Sequence, residues 1–172
     1  MESKCDRPRS PGVDAVRLQQ RAVKVFADYC QFYIWDGGMA PQAPEEYGPE
    51  DVRRRMKTGP HVVVVQTASN VTVAVEVEVH DAEPATNISD WDHVVEASLH
   101  LPTGQLQVHE STGGPVADFL VEPGWYRVRA CHAGLSTPDE SGAAGRDRYL
   151  ALVWPAAADE MRVVKQWAAG VE

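Results

Sequence analysis

The densest group of chemically capable side chains is His80, Asp81, Glu83, Asp90, Asp92 and His93, with Trp91 among them. Imidazole and carboxylate together suit a divalent cation. His80, Asp81, Asp92 and His93 would be its ligands if two strand ends converged. Their spacing matches no compact metal-ligand motif. The plainer reading is a solvated loop, in which Asp81 bonds local backbone amides and Asp90 or Asp92 caps a turn. Asp81, Glu83, Asp90, Trp91 and Asp92 then form a surface for a protein partner. A second polar group, Asp139, Glu140 and Asp147 beside Arg146 and Arg148, lies in residues 134–148, a stretch rich in Gly, Ser and acids. Structureless segments of that length are uncommon and are either recognition loops or simply mobile.

Nucleophilic chemistry has weaker support. Ser98 lies near His100 and Ser111 near His109, but no nucleophile elbow, Gly-rich phosphate loop or zinc-hydrolase helix accompanies them. Glu96, Ser98 and His100 fall on one face of a strand simply because alternate residues do. An acid–base pair of His80 with Glu76 or Glu78 is equally unanchored. The expectation is a protein that is not an enzyme and has no cofactor. The aromatic residues Tyr29, Phe32, Tyr33, Trp35, Trp91, Trp125, Tyr126 and Trp154 would make a contact row if exposed. Most are expected in the core, with Trp91, in a polar loop, the best placed to be exposed.

These side chains must be held by strands. Every odd position over residues 71–79 is valine, with Thr72, Ala74, Glu76 and Glu78 between. A helix cannot sort that pattern onto two faces, whereas a strand does so automatically. Residues 23–35 read as one long strand, either central or switching faces at a bulge. Residues 61–67 hold four consecutive valines, too stiff at χ1 to favour helix. Residues 94–101, 105–110, 116–121, 125–132 and 149–154 follow as strands separated by Gly, Pro and Ser turns. Pro49-Glu50-Asp51 opens a short helix to about Lys57. Residues 13–21 have the makings of a helical turn or two, and residues 156–172 dock as either strand or helical turn.

The 172 residues suit one domain, with 44% hydrophobic and 24% charged residues. The expected organisation is a flexible tail over residues 1–22, a single domain over residues 23–167 and a short tail over residues 168–172. The net charge of −9 disfavours nucleic acid, whose binding depends on Lys and Arg neutralising phosphates. It permits a basic protein partner. Cys5, Cys30 and Cys131 have no metal-ligand spacing and suggest no disulfide framework. No apolar run reaches membrane-span length and no apolar signal segment is evident, so the expected location is the cytoplasm.

Three blocks carry a family resemblance: Val25-Phe26-Ala27-Asp28-Tyr29-Cys30-Gln31-Phe32-Tyr33; Trp91-Asp92-His93-Val94-Val95-Glu96-Ala97; and Pro123-Gly124-Trp125-Tyr126-Arg127-Val128-Arg129 followed by Tyr149-Leu150-Ala151-Leu152-Val153-Trp154-Pro155. In that order they resemble a set of uncharacterised bacterial β-sandwich proteins. More distantly, through Tyr29-Cys30-Gln31-Phe32 and the late Pro-Gly strand, they resemble the ComJ family of competence proteins, inhibitors of a DNA-entry nuclease. The likeness spans about residues 23–155. It implies an inhibitory or immunity-type binding module and assigns no contact residue.

The fold expected is all-β, an antiparallel, jelly-roll-like sandwich of about eight strands with one short helix. The function expected is binding of a basic protein such as a nuclease through Asp81, Glu83, Asp90, Trp91, Asp92, Asp139, Glu140 and Asp147. The alternatives are a sandwich that binds a metal or small molecule, and a structural domain that pairs with its own copies.

Overall fold

Val73, Val75, Val77 and Val79 are all buried, while the alternate residues Thr72 and Ala74 are exposed. The alternation places one face of this segment on the core. The computed structural model describes residues 14–168. Of the expected tails over residues 1–22 and 168–172, residues 1–13 and 169–172 lie outside the described residues.

Among the described residues the chain forms eleven strands and one α-helix, arranged as two open sheets with no closed barrel. The six-stranded sheet runs in the order β1 (Arg17–Phe26), β5 (Thr72–His80), β10 (Arg148–Pro155), β9 (Gly124–Ala133), β6 (His93–Leu101) and β11 (Arg162–Lys165). The five-stranded sheet runs β3 (Met56–Gly59), β4 (Val62–Gln66), β2 (Gln31–Asp36), β7 (Gln105–Glu110) and β8 (Pro115–Leu120). Their inner faces share one core, in which Phe32, Ile34, Val63, Val65 and Leu106 meet Val75, Val77, Val95, Leu99 and Val128. Each such side chain contributes about 1.5–3 kcal/mol by leaving water.

The all-β, two-sheet architecture agrees with the sequence reading, and its details correct that reading. The topology is not strictly a jelly roll, and β5 and β10 are parallel neighbours in an otherwise antiparallel arrangement. The long strand expected over residues 23–35 is two strands in different sheets. Between them Tyr29 and Cys30 take left-handed backbone angles, φ 58° and 55°, and the chain crosses from one sheet to the other. β1 begins at Arg17, inside the expected tail and in place of the expected helical turn. It is an edge strand held by backbone pairing with β5, and its outward side chains are mostly exposed, so apolar periodicity does not reveal it. The helix α1 (Pro49–Arg54) stops short of Lys57, because Arg55 turns left-handed (φ 56°) and the chain enters β3.

The outer face of the six-stranded sheet is covered over β6 and β9. Glu96 on β6 lies buried beside Arg127 and Arg129 on β9. Its carboxylate accepts from Arg129 Nε (2.8 Å), Arg127 Nε (3.3 Å) and Arg162 of β11 (3.1 Å). Arg129 also donates to the Pro84 carbonyl (3.0 Å), the Thr86 hydroxyl (2.7 Å) and Glu83 (2.6 Å). Arg127 donates to the carbonyls of Asp159 (3.2 Å) and Glu160 (2.7 Å). The two arginines thus tie down loop 82–92 on one side and the C-terminal segment on the other.

Burial alone would keep Glu96 protonated, but the hydrogen bonds and charges of the arginines outweigh it and hold the carboxyl below its ordinary range. A depressed carboxyl stabilises the fold above its unfolded pKa, near 4.3, and loses that contribution as pH falls through the folded value. Glu96→Gln is expected to cost about 3 kcal/mol at neutral pH. In urea denaturation the gap to the unsubstituted protein should close below about pH 4; a gap that persists there would contradict the ionic origin of the effect.

Candidate interaction surfaces

His80 and His93 do not share a site. His93 pairs with His132, His132 with Tyr149 and Tyr149 with Val75, so His93 lies level with Val75. His80 is five positions further along β5 and three strands across, which places the two about 20 Å apart. His80 Nε2 instead meets Glu78 at 2.7 Å, and Asp81 Oδ1 accepts the Val16 N–H at 2.7 Å. Among the described residues no three His, Cys, Asp or Glu side chains gather so as to hold a metal ion. The set His80, Asp81, Asp92 and His93 is therefore not a constellation in space.

The two acidic loops do meet. Asp92 Oδ2 accepts the Leu135 N–H (3.0 Å), the Arg148 guanidinium lies 4.6 Å over the Trp91 ring, and the Asn70 N–H donates to the Gly142 carbonyl (2.8 Å). Within this end the expected contact residues divide. Asp147 is buried and accepts from the Ser69 N–H (3.1 Å), the Ser69 hydroxyl and the Tyr149 hydroxyl. Asp92 closes the loop junction, and Trp91 is half-buried under Arg148. These three hold the structure together. Asp90, Asp139 and Glu140 are exposed. Asp139 receives the hydroxyl and N–H of Ser141, at 2.6 and 3.1 Å, and these bonds hold its carboxyl below the usual range. Glu83 is exposed but paired with Arg129.

The same end buries a row of rings. His93, His132 and Tyr149 stand side by side on β6, β9 and β10, with ring centroids 5.1 Å apart at each step. His93 Nε2–H donates to the Arg54 carbonyl (2.8 Å), which leaves Nδ1 to accept from the Trp167 N–H (3.1 Å). One imidazole thereby joins β6, the end of α1 and the C-terminal segment. His132 is wholly buried, and among the described residues neither of its ring nitrogens has a hydrogen-bond partner. Burial, then the neighbouring His93 and Arg55, push its pKa well below the ordinary value. Burial also lowers that of His93.

A third feature lies on the outer face of the five-stranded sheet. Gln31, Tyr33 and Trp35 of β2 point outward, while Phe32 and Ile34 between them point to the core. Ala43 and Tyr47, from loop 40–48, pack against Tyr33, Val62 and Val64. Beside them an open groove of about 1380 Å³ remains, lined among others by Tyr29, Cys30, Gln31, Tyr33, Trp35 and Tyr47. A chain of bonds fixes the rings: the Tyr47 hydroxyl donates to Gln31 Oε1 (3.0 Å), Gln31 Nε2 to the Tyr33 hydroxyl (3.1 Å) and Trp35 Nε1 to Gln107 Oε1 (2.9 Å). Tyr29, at the mouth, is 74% exposed. The sequence reading placed the exposed ring at Trp91; the structure leaves Trp91 half-buried and exposes Tyr29 and Trp125. The signal for Tyr29 was an aromatic residue beside Cys30 at the point where two strand patterns fall out of phase.

No family model and no curated protein matches this sequence. Two solved structures share its fold. One is the crystal structure of ComJ, inhibitor of the DNA degrading activity of NucA, from Bacillus subtilis; it superposes with a TM-score of 0.63 at 10% identity, over 84% of this chain and 100% of that one. The other is crocagin biosynthetic gene J, with a TM-score of 0.53 at 16% identity, over 81% of this chain and 100% of that one. At these identities the likeness is one of fold. Among the described residues no helix is long and apolar enough to cross a membrane.

Neutral, buried His132 sets the sign of the acid response. The unfolded chain protonates His93 and His132 near pH 6.5 and the folded chain protonates them at lower pH, so stability falls as pH drops through that window. The slope reaches about 1.4 kcal/mol per pH unit for each of these two histidines. His132→Phe, which removes two unpartnered nitrogens, should keep or raise stability at pH 7 and flatten the decline between pH 7 and 5 in urea titrations.

Proposed function

We propose that the protein is a non-enzymatic binding module of the bacterial cytoplasm, an inhibitor- or immunity-type partner of a basic protein such as a nuclease. The observation that carries this reading is the fold likeness to ComJ over the whole of that chain, since the ComJ structure is that of an inhibitor of a DNA-degrading activity. The net charge of −9 supports it, because an acidic body attracts and orients a basic one before contact. The mechanism is occlusion. Asp90, Asp139 and Glu140, exposed where loops 82–92 and 134–148 meet, stand in for phosphates in a cationic cleft. Glu83 joins them on the side of Arg129, Trp91, Asp92 and Asp147 set the shape of the surface, and Asp81 holds the far end of the loop through the Val16 N–H.

Immobilised protein exposed to the native cytosol at low salt should retain a basic partner and release it as salt rises, since exposed charges are screened beyond about 10 Å at 0.1 M. The triple variant Asp90→Asn, Asp139→Asn, Glu140→Gln should weaken that capture about tenfold, chiefly through the association rate. No retained partner, or retention indifferent to salt, would count against the reading.

A further inference from the structure

We propose that the groove on the outer face of the five-stranded sheet seats an extended, arginine-bearing segment of a protein partner. This rests on the reading of the molecule as a binding module and adds a second surface to it. The groove begins at the end where the acidic loops meet: the Thr67 N–H donates to the Cys30 carbonyl (2.8 Å), and Ala68, next in the chain, bonds the Tyr149 hydroxyl (2.8 Å). At about 1380 Å³ it exceeds the 300–1,000 Å³ or so of a small-molecule pocket, and it is a trough rather than a closed cavity.

Its chemistry selects a cation. Tyr29, exposed, and Trp35, half-buried, offer ring surface above a floor of buried Tyr33, Lys57 already lies over the ring of Tyr47, and cations lie over rings elsewhere in this chain: Arg148 over Trp91 at 4.6 Å and Arg55 over Trp167 at 4.9 Å. The wall formed by loop 40–48 carries Glu45 and Glu46, both exposed, and among the described residues no side-chain hydrogen bond or ion pair engages either carboxylate. The groove's own two cations are already occupied. Lys57 donates to Asp51 (3.1 Å) and to the Glu46 carbonyl and sits 5.2 Å over Tyr47, while Arg55 stacks on Trp167. The charge left to a visitor is negative. Arginine fits better than lysine, because a planar guanidinium both stacks on a ring and bonds a carboxylate through two N–H groups.

The mouth is built at a cost. Tyr29 and Cys30 hold consecutive left-handed angles without glycine, which L side chains resist. The conformation is braced by Cys30 N–H to the Ala27 carbonyl (3.0 Å), Tyr29 N–H to Asp28 (3.1 Å) and the Thr112 hydroxyl to Asp28 (2.9 Å). The product of this bracing is a tyrosine ring held out in water at the groove entrance, where packing gains nothing from it and a contact gains a preorganised face.

The test is amide NMR titration of the full chain with the peptide Gly-Ser-Arg repeated three times, its citrulline counterpart and an oligosaccharide such as maltohexaose. The arginine peptide should move the Trp35 indole N–H and the Tyr29 and Tyr47 amides, with at least tenfold preference over citrulline. Tyr29→Ser and the pair Glu45→Gln, Glu46→Gln should each weaken it about fivefold. The loop variant Asp90→Asn, Asp139→Asn, Glu140→Gln should bind it with at least half the unsubstituted affinity, which separates this site from the acidic loops. Equal response to citrulline, movement confined to loop 134–148, or a response to maltohexaose alone would overturn the proposal. Loss of peptide binding with salt-dependent capture of a basic partner intact would remove the groove and leave the acidic loops standing.

Discussion

A carboxylate taken out of water must be met by positive charge, and Glu96 is met by three arginines. The consequences spread outward from that one group. Arg129 and Arg127 each reach past it to backbone carbonyls of segments that have little apolar surface of their own. Loop 82–92 and the C-terminal segment are thereby fastened over a sheet face that would otherwise be wet. The position of the acidic end of the molecule depends on this fastening, because loop 82–92 runs across the sheet to deliver Asp90, Trp91 and Asp92 beside loop 134–148.

The carboxylates of that end show how identical residue types divide between roles. Asp147 and Asp92 look like Asp139 and Asp90 in sequence, since all four are acids in polar, turn-rich stretches. Their difference is set by what meets them: Ser69 and Tyr149 for Asp147, the Leu135 amide for Asp92, and for the exposed pair near neighbours in the chain, Ser141 for Asp139 and Asn87 for Asp90. The pairing of Asp147 and Asp92 is between residues more than forty positions apart in chain order, except for Tyr149, and local pattern carries no information about it.

What alternation can express was legible. The valine pattern over residues 71–79, the four valines at 62–65 and the alternating run ending at Leu101 each appear as strands at nearly the expected positions. What depends on partners was not. β1 is mostly wet and exists because β5 offers it an edge; β3 and β11 are four residues each and join edges in the same way. The break at Tyr29 and Cys30 is hidden because apolar residues continue on both sides of it. The outward row Gln31, Tyr33, Trp35 was read as a strand apolar on both faces, which is correct; that one face is covered by a proline-rich loop, leaving a groove, is a fact about loop 40–48 folding back. His132 was read within a strand, and nothing in its neighbours announces an imidazole with no hydrogen bond.

The parallel seam between β5 and β10 bears on how the chain assembles. β10 is next to last in chain order yet sits near the middle of its sheet, with Leu152 opposite Glu78 on one side and Arg129 on the other. During synthesis the ribosome therefore delivers β5 long before the strand that comes to separate it from β9, which itself ends at Ala133, one loop ahead of Arg148, and β5 waits longest with a bare row of amides and carbonyls. Completion must draw residues 148–155 into that slot across some seventy residues of intervening chain, a non-local closure that is slow by nature. A nascent chain paused before Arg148 carries two sticky edges, one of them valine-rich, and is the species most exposed to aggregation or to capture by a chaperone.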